Sequence, residues 1–158
     1  MSYNCAGFHF VEKDGVYYVV GVVDDRFPEV KIPGGGGKIT DKTHDDTLIR
    51  EFKEETDGAL IPTKFKVIHQ EEKPGHTKLF FLVTEISGKI YPGEGMQVNE
   101  PDGEILTVRL WNIKEFEAKL FRNYRIAFIK AFLAMANLDE KFRHDNLEMF
   151  TRFSAMKF

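Results

Sequence analysis

The hydrophobic residues of the first third of the chain are grouped as β-strands require. β-branched and aromatic residues dominate residues 5–11 and 16–23, and turn-forming residues 13–15 separate them, which predicts a hairpin. A short segment at residues 29–32 leads into Pro33 and four consecutive glycines. Strands are predicted again beyond the first helix, at residues 65–70, 78–86 and 104–111.

The apolar spacing changes to a helical period between residue 43 and about residue 56. Three apolar residues share one side of this helix: Leu48, Ile49 and Phe52. Thr43 suits the N-cap position, with Asp46 three residues later as in a capping box. Gly58 is predicted to end the helix, since glycine accepts the backbone conformation that helix ends require.

The last third of the chain predicts helices. Residues 87–103 are rich in glycine, proline and charge, so we expect a surface loop there. From residue 113 onward the pattern is helical, with an apolar face formed by Phe121, Ile126, Phe128, Ile129, Phe132 and Leu133. A weaker final helix is predicted over residues 138–153. The order of strands, helix, strands and helices predicts an α/β sandwich in a single domain, residues 1–158.

Length, charge and cysteine content exclude several classes of protein. With 158 residues the chain suits one domain. A net charge of −3 and a pI near 6.0 argue against a stable nucleic-acid partner held by a broad basic surface. The single cysteine, Cys5, allows no intramolecular disulfide and fits a reducing compartment. Because no apolar run approaches roughly 18 residues and no signal peptide is recognisable, we expect a cytoplasmic monomer or homodimer without a membrane partner.

Three carboxylates gather on one side of the predicted helix. Glu51, Glu54 and Glu55 fall within an arc of about 100°. Like charges at i,i+4 destabilise a helix by roughly 0.2–0.5 kcal/mol per pair, and the helix dipole disfavours anions in the later turns. A hard divalent cation would reverse both penalties, because magnesium prefers carboxylate oxygens. A solvated surface face is the alternative, but the glycines ahead and Arg50 in the same turn favour a metal site.

Residues 36–58 resemble the catalytic motif of the Nudix hydrolases. That motif, the Nudix box, is written G-x5-E-x7-R-E-U-x-E-E-x-G-U, where U is a bulky apolar residue. The run Arg50-Glu51-Phe52-Lys53-Glu54-Glu55 matches its R-E-U-x-E-E core at every position. Residues 33–39 look like the family's P-G-G-x-hydrophobic entry to the box. The resemblance implies a Nudix-type α/β/α sandwich with a mixed sheet.

The loop half of the motif departs from the family pattern. Counting back from Arg50, Lys42 stands where the family has a glutamate, and Asp57 stands at the late glycine position. We expect Asp46 or Glu54, each four residues from Arg50, to help hold the guanidinium instead.

The start of the motif can also be placed one residue later. If it begins at Gly37 instead of Gly36, the loop is one residue short and Thr43 takes the glutamate position. Either placement leaves the helical half of the motif unchanged, so the departure bears on loop geometry and rate more than on the reaction.

The resemblance also implies a set of site residues. The implied ligands of Mg²⁺, or of Mn²⁺ as a substitute, are the carboxylates of Glu51, Glu54 and Glu55 and a backbone carbonyl of Gly36 or Gly37. The implied catalytic residues are Glu54, Glu51 and Arg50, with Arg50 orienting a glutamate and not touching substrate. The family often adds an acidic ligand or base from a later loop, for which Glu104 is the first choice and Glu100 the second.

The activity implied is magnesium-dependent hydrolysis of a nucleoside diphosphate linked to another group. Nucleoside or deoxynucleoside triphosphates are the favoured small-molecule substrates, given the small single domain. An ADP-ribose or nucleotide-sugar pyrophosphatase is the first alternative. A non-catalytic module that senses a nucleotide is the second, although such modules usually lose core glutamates and this chain has all three.

Several other residues are expected to be structural. Cys5, Phe80 and Phe81 are predicted to lie in the core, because nothing around the cysteine suggests a nucleophile and aromatic residues in a central strand usually pack inside. The five histidines have no zinc-binding spacing.

Overall fold

The computed structural model describes residues 2–92, 95–101 and 103–158, with two four-stranded sheets at its centre. The first sheet has the order β4-β1-β6-β5 and contains β1 (Ser2–Phe8), β4 (Gly34–Gly36), β5 (Ile61–Lys73) and β6 (His76–Ser87). Because β1 runs parallel to β6 while the other pairs are antiparallel, this sheet is mixed. The second sheet is antiparallel, has the order β2-β3-β8-β7 and contains β2 (Phe10–Lys13), β3 (Val16–Asp24), β7 (Met96–Asn99) and β8 (Ile105–Asn112).

Helices cover the sheets. They are α1 (His44–Glu55), α2 (Ile113–Lys119), α3 (Arg125–Leu138), α4 (Glu140–Asp145) and α5 (Leu147–Ser154), with a 3₁₀ turn at Arg122–Tyr124. Helix α1 packs on β1, β4 and β5, whereas α3 packs on β5 and β6 and against α4 and α5. Among the described residues, none of the helices has the length and apolar character needed to cross a bilayer.

Alternate residues of β6 face two different core clusters. Phe80 and Leu82 pack into an aromatic cluster with α3, whereas Phe81 and Val83 pack into a second cluster with Leu48 and Phe52 of α1. Since successive side chains of a strand point to opposite faces, α1 and α3 lie on opposite sides of the first sheet. This confirms the predicted α/β/α sandwich with a mixed sheet, and Phe80, Phe81 and Cys5 are buried as predicted.

The prediction of one continuous strand over residues 5–11 is wrong, because the strand is interrupted at His9. The residues before His9 belong to the first sheet and those after it to the second. The His9 imidazole is buried, and its Nδ1 donates to the Val83 carbonyl at 2.8 Å. Burial lowers the pKa of His9, so the ring is held neutral at the crossing between sheets.

Two predictions for the second half of the chain are also wrong. The predicted loop over residues 87–103 contains β7, in which Met96 and Val98 face inward while the residues between them are exposed. The final helix predicted over residues 138–153 is two helices, α4 and α5. They divide at Asn146, whose backbone is not helical and whose side-chain amide donates to the Phe142 carbonyl.

Both predicted ends of α1 are confirmed. Thr43 is the N-cap, and its hydroxyl accepts from the Asp46 amide at 3.1 Å. At the other end Asp57 and Gly58 have positive φ angles of 50° and 79°. The Gly58 amide donates to the Lys53 carbonyl at 2.7 Å, which is the hydrogen bond of a Schellman motif.

A partly buried carboxylate joins the C-terminal helices. Glu117 of α2 accepts two hydrogen bonds from the Arg152 guanidinium of α5, at 2.5 and 2.8 Å, and further ones from Arg125 of α3. These two arginines, Arg152 first, lower the pKa of Glu117 below its usual value. Its charge therefore stabilises the fold.

We predict that Glu117→Gln lowers stability by about 1–2 kcal/mol at pH 7, because two arginines lose their shared carboxylate. For a chain of this size that lowers Tm by about 2–4 °C per kcal/mol. A depressed folded-state pKa stabilises fully above the unfolded pKa near 4.3, and this stabilisation is lost as the pH falls. The difference in Tm between wild type and variant should therefore narrow below about pH 4.

Thermal unfolding between pH 3 and pH 8 measures this, with Glu148→Gln as the matched control. Glu148 also pairs with Arg152, but its side chain is 77% exposed, so its loss should leave Tm unchanged. Equal Tm values for the two variants would contradict the prediction.

Candidate functional site

Three glycines bring the backbone close to the acidic face of α1. Residues 34–36 form β4 and pair with β1. A Cβ atom at Gly35 would lie 2.5 Å from the carboxylate carbon of Glu51, and one at Gly37 would lie 2.2 Å from the Tyr3 ring. Only glycine allows this approach, so the run of glycines places backbone against carboxylate.

The Arg50 guanidinium lies at the centre of the acidic cluster. Its Nη1 donates to Glu51 at 2.9 Å and to Glu54 at 3.2 Å, and its Nη2 donates to the Gly36 carbonyl at 2.8 Å. Its Nε and Nη2 also donate to Asp41, at 3.0 and 2.8 Å. All five N–H groups of the arginine thus have acceptors. The hydrogen bonds that Arg50 donates to these carboxylates, those to Asp41 first, raise its pKa.

Asp41 is the main anionic partner of Arg50, and sequence reasoning missed it. Its side chain is only 5% exposed, and the hydrogen bonds from Arg50 hold the pKa of its carboxyl well below the usual range. Of the two residues predicted to hold the guanidinium, Glu54 does so and Asp46 does not. The Asp46 carboxylate instead accepts from the Lys42 amide at 3.2 Å. The prediction for Asp46 is wrong because its side chain lies over the N-terminal turn of α1.

The three glutamates of α1 have different surroundings. Glu51 is buried beside Gly35, and burial raises its pKa against the opposing effect of Arg50. Glu54 is 39% exposed and also lies 3.6 Å from Lys38 Nζ. Glu55 accepts from the Gly34 amide at 2.6 Å. Burial raises the pKa of Glu55 well above its usual value, and the charges of Glu51, Glu100 and Glu104 add to the rise.

A cavity of about 230 Å³ opens beside Glu55 and lies where the two sheets meet. Its polar lining includes Glu104, Asp24, Lys31 and Lys78, contributed by segments far apart in the chain. Glu104 lies 3.1 Å from the Arg26 guanidinium. A hydrogen bond that the Asp24 and Glu104 carboxyls share through one proton lowers the pKa of Asp24, and the hydrogen bonds that Arg26 donates to Asp24 lower it further.

The predicted site residues are thus brought together in two groups. Glu51, Glu54, Arg50 and the Gly36 carbonyl form one group, and Glu55 and Glu104 line the cavity next to it. The Gly37 amide donates to the Tyr3 carbonyl at 3.0 Å. Glu100 raises the pKa of both Glu51 and Glu55, so both candidates for the extra acidic residue lie within electrostatic range of the cluster.

The donor atoms of this cluster suit a hard divalent cation. They are carboxylate and carbonyl oxygens, and the absence of a side chain at Gly35 leaves the Glu51 carboxylate against the backbone. Across the described ranges, no group of three or more His, Cys, Asp or Glu side chains is arranged to hold a metal ion. The Glu51 and Glu54 carboxylates both accept from Arg50 Nη1.

Two comparisons of sequence found no relative. No protein-family model matches the chain, and no curated protein matches it.

Solved structures do match, at low sequence identity. The chain is similar to NrtR from Shewanella oneidensis, with a TM-score of 0.64 and 13% identity over 87% of this chain; it spans 64% of the length of NrtR. It is similar to the Nudix domain of the same NrtR crystallised with ADP-ribose, with a TM-score of 0.59 and 15% identity over 87% of this chain and 88% of that one.

A MutT Nudix hydrolase from Burkholderia pseudomallei has a TM-score of 0.57 and 17% identity, over 81% of this chain and 95% of that one. At these identities the likeness concerns the fold. The chain therefore has the α/β/α fold of the Nudix hydrolases.

Proposed function

We propose that this protein is a magnesium-dependent hydrolase of a nucleoside diphosphate linked to another group, with nucleoside or deoxynucleoside triphosphates as its preferred substrates. One observation carries the proposal. Arg50 holds Glu51 and Glu54 beside the glycine strand, and the adjoining cavity carries Glu55, Glu104 and cationic side chains. The fold is one in which the solved structures of MutT hydrolases are found.

Mg²⁺, with Mn²⁺ as a substitute, would be held by Glu51, Glu54 and Glu55, together with a carbonyl of Gly36 or Gly37. Glu104, with Glu100 as second choice, would complete the acidic set. The cation, when bound, supplies charge neutralisation for phosphate oxygens and acidifies a water molecule.

The chain's own residues contribute orientation and a proton acceptor. Arg50 fixes the carboxylates of Glu51 and Glu54, which removes rotational freedom before substrate arrives. Glu54 has the most exposed carboxylate of the group and lies at the surface of the cluster. We therefore assign Glu54 as the general base that accepts a proton from the attacking water.

Two lysines favour a substrate with additional phosphate. Lys31 Nζ lies 4.6 Å from the centre of the Phe27 ring and 5.0 Å from that of Phe121, and Lys78 Nζ lies 5.7 Å from that of Tyr124. Aromatic rings hold an ammonium group without neutralising it. Neither lysine has a salt bridge to an acid within the described part of the chain. Lys31 and Lys78 both line the cavity beside Glu55, so their ammonium groups are placed to contact a further phosphate that enters it.

Hydrolysis of ADP-ribose is the second candidate. The Nudix domain of Shewanella oneidensis NrtR has been crystallised with ADP-ribose, and this chain covers 88% of that domain. A nucleotide-sensing role without hydrolysis is less favoured, because the chain keeps all three glutamates of the R-E-U-x-E-E core.

We predict that purified protein hydrolyses at least one nucleotide in a panel of triphosphates, ADP-ribose and nucleotide sugars, and that Glu54→Gln lowers kcat by about 100-fold or more. Tm should change little, because Glu54 is half-exposed. EDTA should abolish turnover, and Mg²⁺ or Mn²⁺ should restore it. Released phosphate or pyrophosphate is the measurement.

Asp45→Asn is the matched control on the same helix, since Asp45 is exposed and outside the cluster. No product from any nucleotide with folded protein would refute the proposed function. A wild-type rate for Glu54→Gln would refute its assigned role. Tight nucleotide binding with unchanged ligand after long incubation with Mg²⁺ would identify a sensor instead.

We predict that Lys31→Met and Lys78→Met each raise KM for a nucleoside triphosphate by about 10-fold, since each removes a cation and keeps a stem of similar length. KM for ADP-ribose should rise much less. Steady-state kinetics on both substrates measures this, with Lys157→Met near the exposed C-terminus as control. Equal increases in KM for both substrates would show that the lysines do not bind the additional phosphate.

A further inference from the structure

We propose that a hydrogen-bonded chain formed by Tyr3, Thr47 and Asp41 positions Arg50, and through it the glutamates of α1, in place of the glutamate that the Nudix pattern has at position 42. The inference rests on the proposed function and concerns how this chain achieves it. These are positioning residues, because they act on the site only through Arg50.

The Asp41 carboxylate accepts hydrogen bonds from three different residues. Its carboxylate accepts from the Lys38 amide at 3.0 Å, from the Thr47 hydroxyl at 2.8 Å and from Nε and Nη2 of Arg50 at 3.0 and 2.8 Å. Lys38, Thr47 and Arg50 Nη2 donate to its Oδ2, and Arg50 Nε donates to its Oδ1. Such a group fixes three segments at once: the turn at Lys38, the first turn of α1, and the arginine.

The direction of the hydrogen bonds along the chain follows from Asp41. An ionised carboxylate can only accept, so the Thr47 hydroxyl must give its one hydrogen to Asp41. The Tyr3 hydroxyl lies 2.8 Å from the same Thr47 oxygen. Because Thr47 has no second hydrogen, Tyr3 must donate to it. The chain therefore runs from Tyr3 through Thr47 to Asp41, and Thr47 is completely buried within it.

Tyr3 connects this chain to the glycine segment. Its carbonyl accepts from the Gly37 amide at 3.0 Å, and its ring occupies the space that a side chain at Gly37 would need. Its ring also contacts the His44 ring, with centroids 4.4 Å apart. One residue of β1 thus holds the end of the glycine segment and the start of α1, the two elements between which Arg50 lies.

Lys42 does not supply this interaction. Its side chain is exposed, and its backbone amide donates to Asp46. Asp41 precedes it by one residue, and its side chain is one methylene shorter than glutamate. The Asp41 carboxylate therefore reaches the Arg50 guanidinium from the backbone position next to Lys42.

The test compares Asp41→Asn, Thr47→Val and Tyr3→Phe with the double variant Asp41→Asn/Lys42→Glu. Asp46→Asn is the matched control, since it is a neighbouring acid outside the chain. For a nucleotide cleaved by the wild type we expect Asp41→Asn to lower kcat by at least about 10-fold, with KM within about twofold. Thr47→Val and Tyr3→Phe should lower kcat by about 3-fold or more, and Lys42→Glu should restore most of the loss in the Asp41→Asn background.

A second measurement separates this inference from the proposed function. Thermal unfolding of Asp41→Asn, Arg50→Gln and the double variant should give reductions in Tm that are not additive, whether or not the protein cleaves a nucleotide. A wild type without turnover but with this non-additivity would refute the proposed function and support the structural chain. Additive reductions in Tm, an Asp41→Asn variant identical to Asp46→Asn, a loss expressed mainly in KM, or no recovery with Lys42→Glu would each overturn the positioning role.

Discussion

The arrangement of the site depends on the pairing of one guanidinium with several carboxylates. Asp41, Glu51 and Glu54 all bond to Arg50, and Glu55 lies one turn away from it on the cavity side. A single positive charge lowers the pKa of Asp41, which it contacts most closely, but the pKa of Glu51 remains raised by burial. Glu55 has a backbone amide as its partner and the most strongly raised pKa of the set. The carboxyl groups whose ionised form the protein stabilises least therefore lie on the side of the cluster that faces the cavity, and a divalent cation bound there would favour that form.

The core fixes the direction in which this acidic face points. Leu48 and Phe52 are fully buried against the first sheet, so α1 cannot rotate about its axis without exposing them. Burying two such side chains contributes roughly 3–6 kcal/mol, which exceeds the repulsion between neighbouring glutamates. The free energy gained by burying the hydrophobic side of α1 thus exceeds the repulsion between the glutamates on its other side.

How far the sequence predicts this site depends on how local each contact is. Helix α1, its N-cap Thr43 and the grouping of Glu51, Glu54 and Glu55 follow from residues within a few turns of one another, and all were predictable. The cavity residues Lys31 and Lys78 were not, because their meeting requires the first sheet to pair with segments dozens of residues away. The break at His9 also depends on contacts that are distant in sequence, because a continuous apolar run does not show that β1 and β2 belong to different sheets. Strand β7 was missed for a local reason, because it has only four residues within a segment rich in glycine, proline and charge.

The two departures from the Nudix pattern have a common physical character. At position 42 the expected acid is absent, and Asp41 contacts the arginine from the preceding residue. At position 57 the expected glycine is absent, yet Asp57 adopts the left-handed conformation with φ of 50°, which aspartate tolerates better than most residues. Gly58 then completes the helix end through its bond to Lys53. In both places the required contact or conformation persists although the expected residue type has changed. A pattern is defined by residue types at fixed positions, whereas the fold depends on contacts, so a contact can persist when the residue type at a pattern position changes.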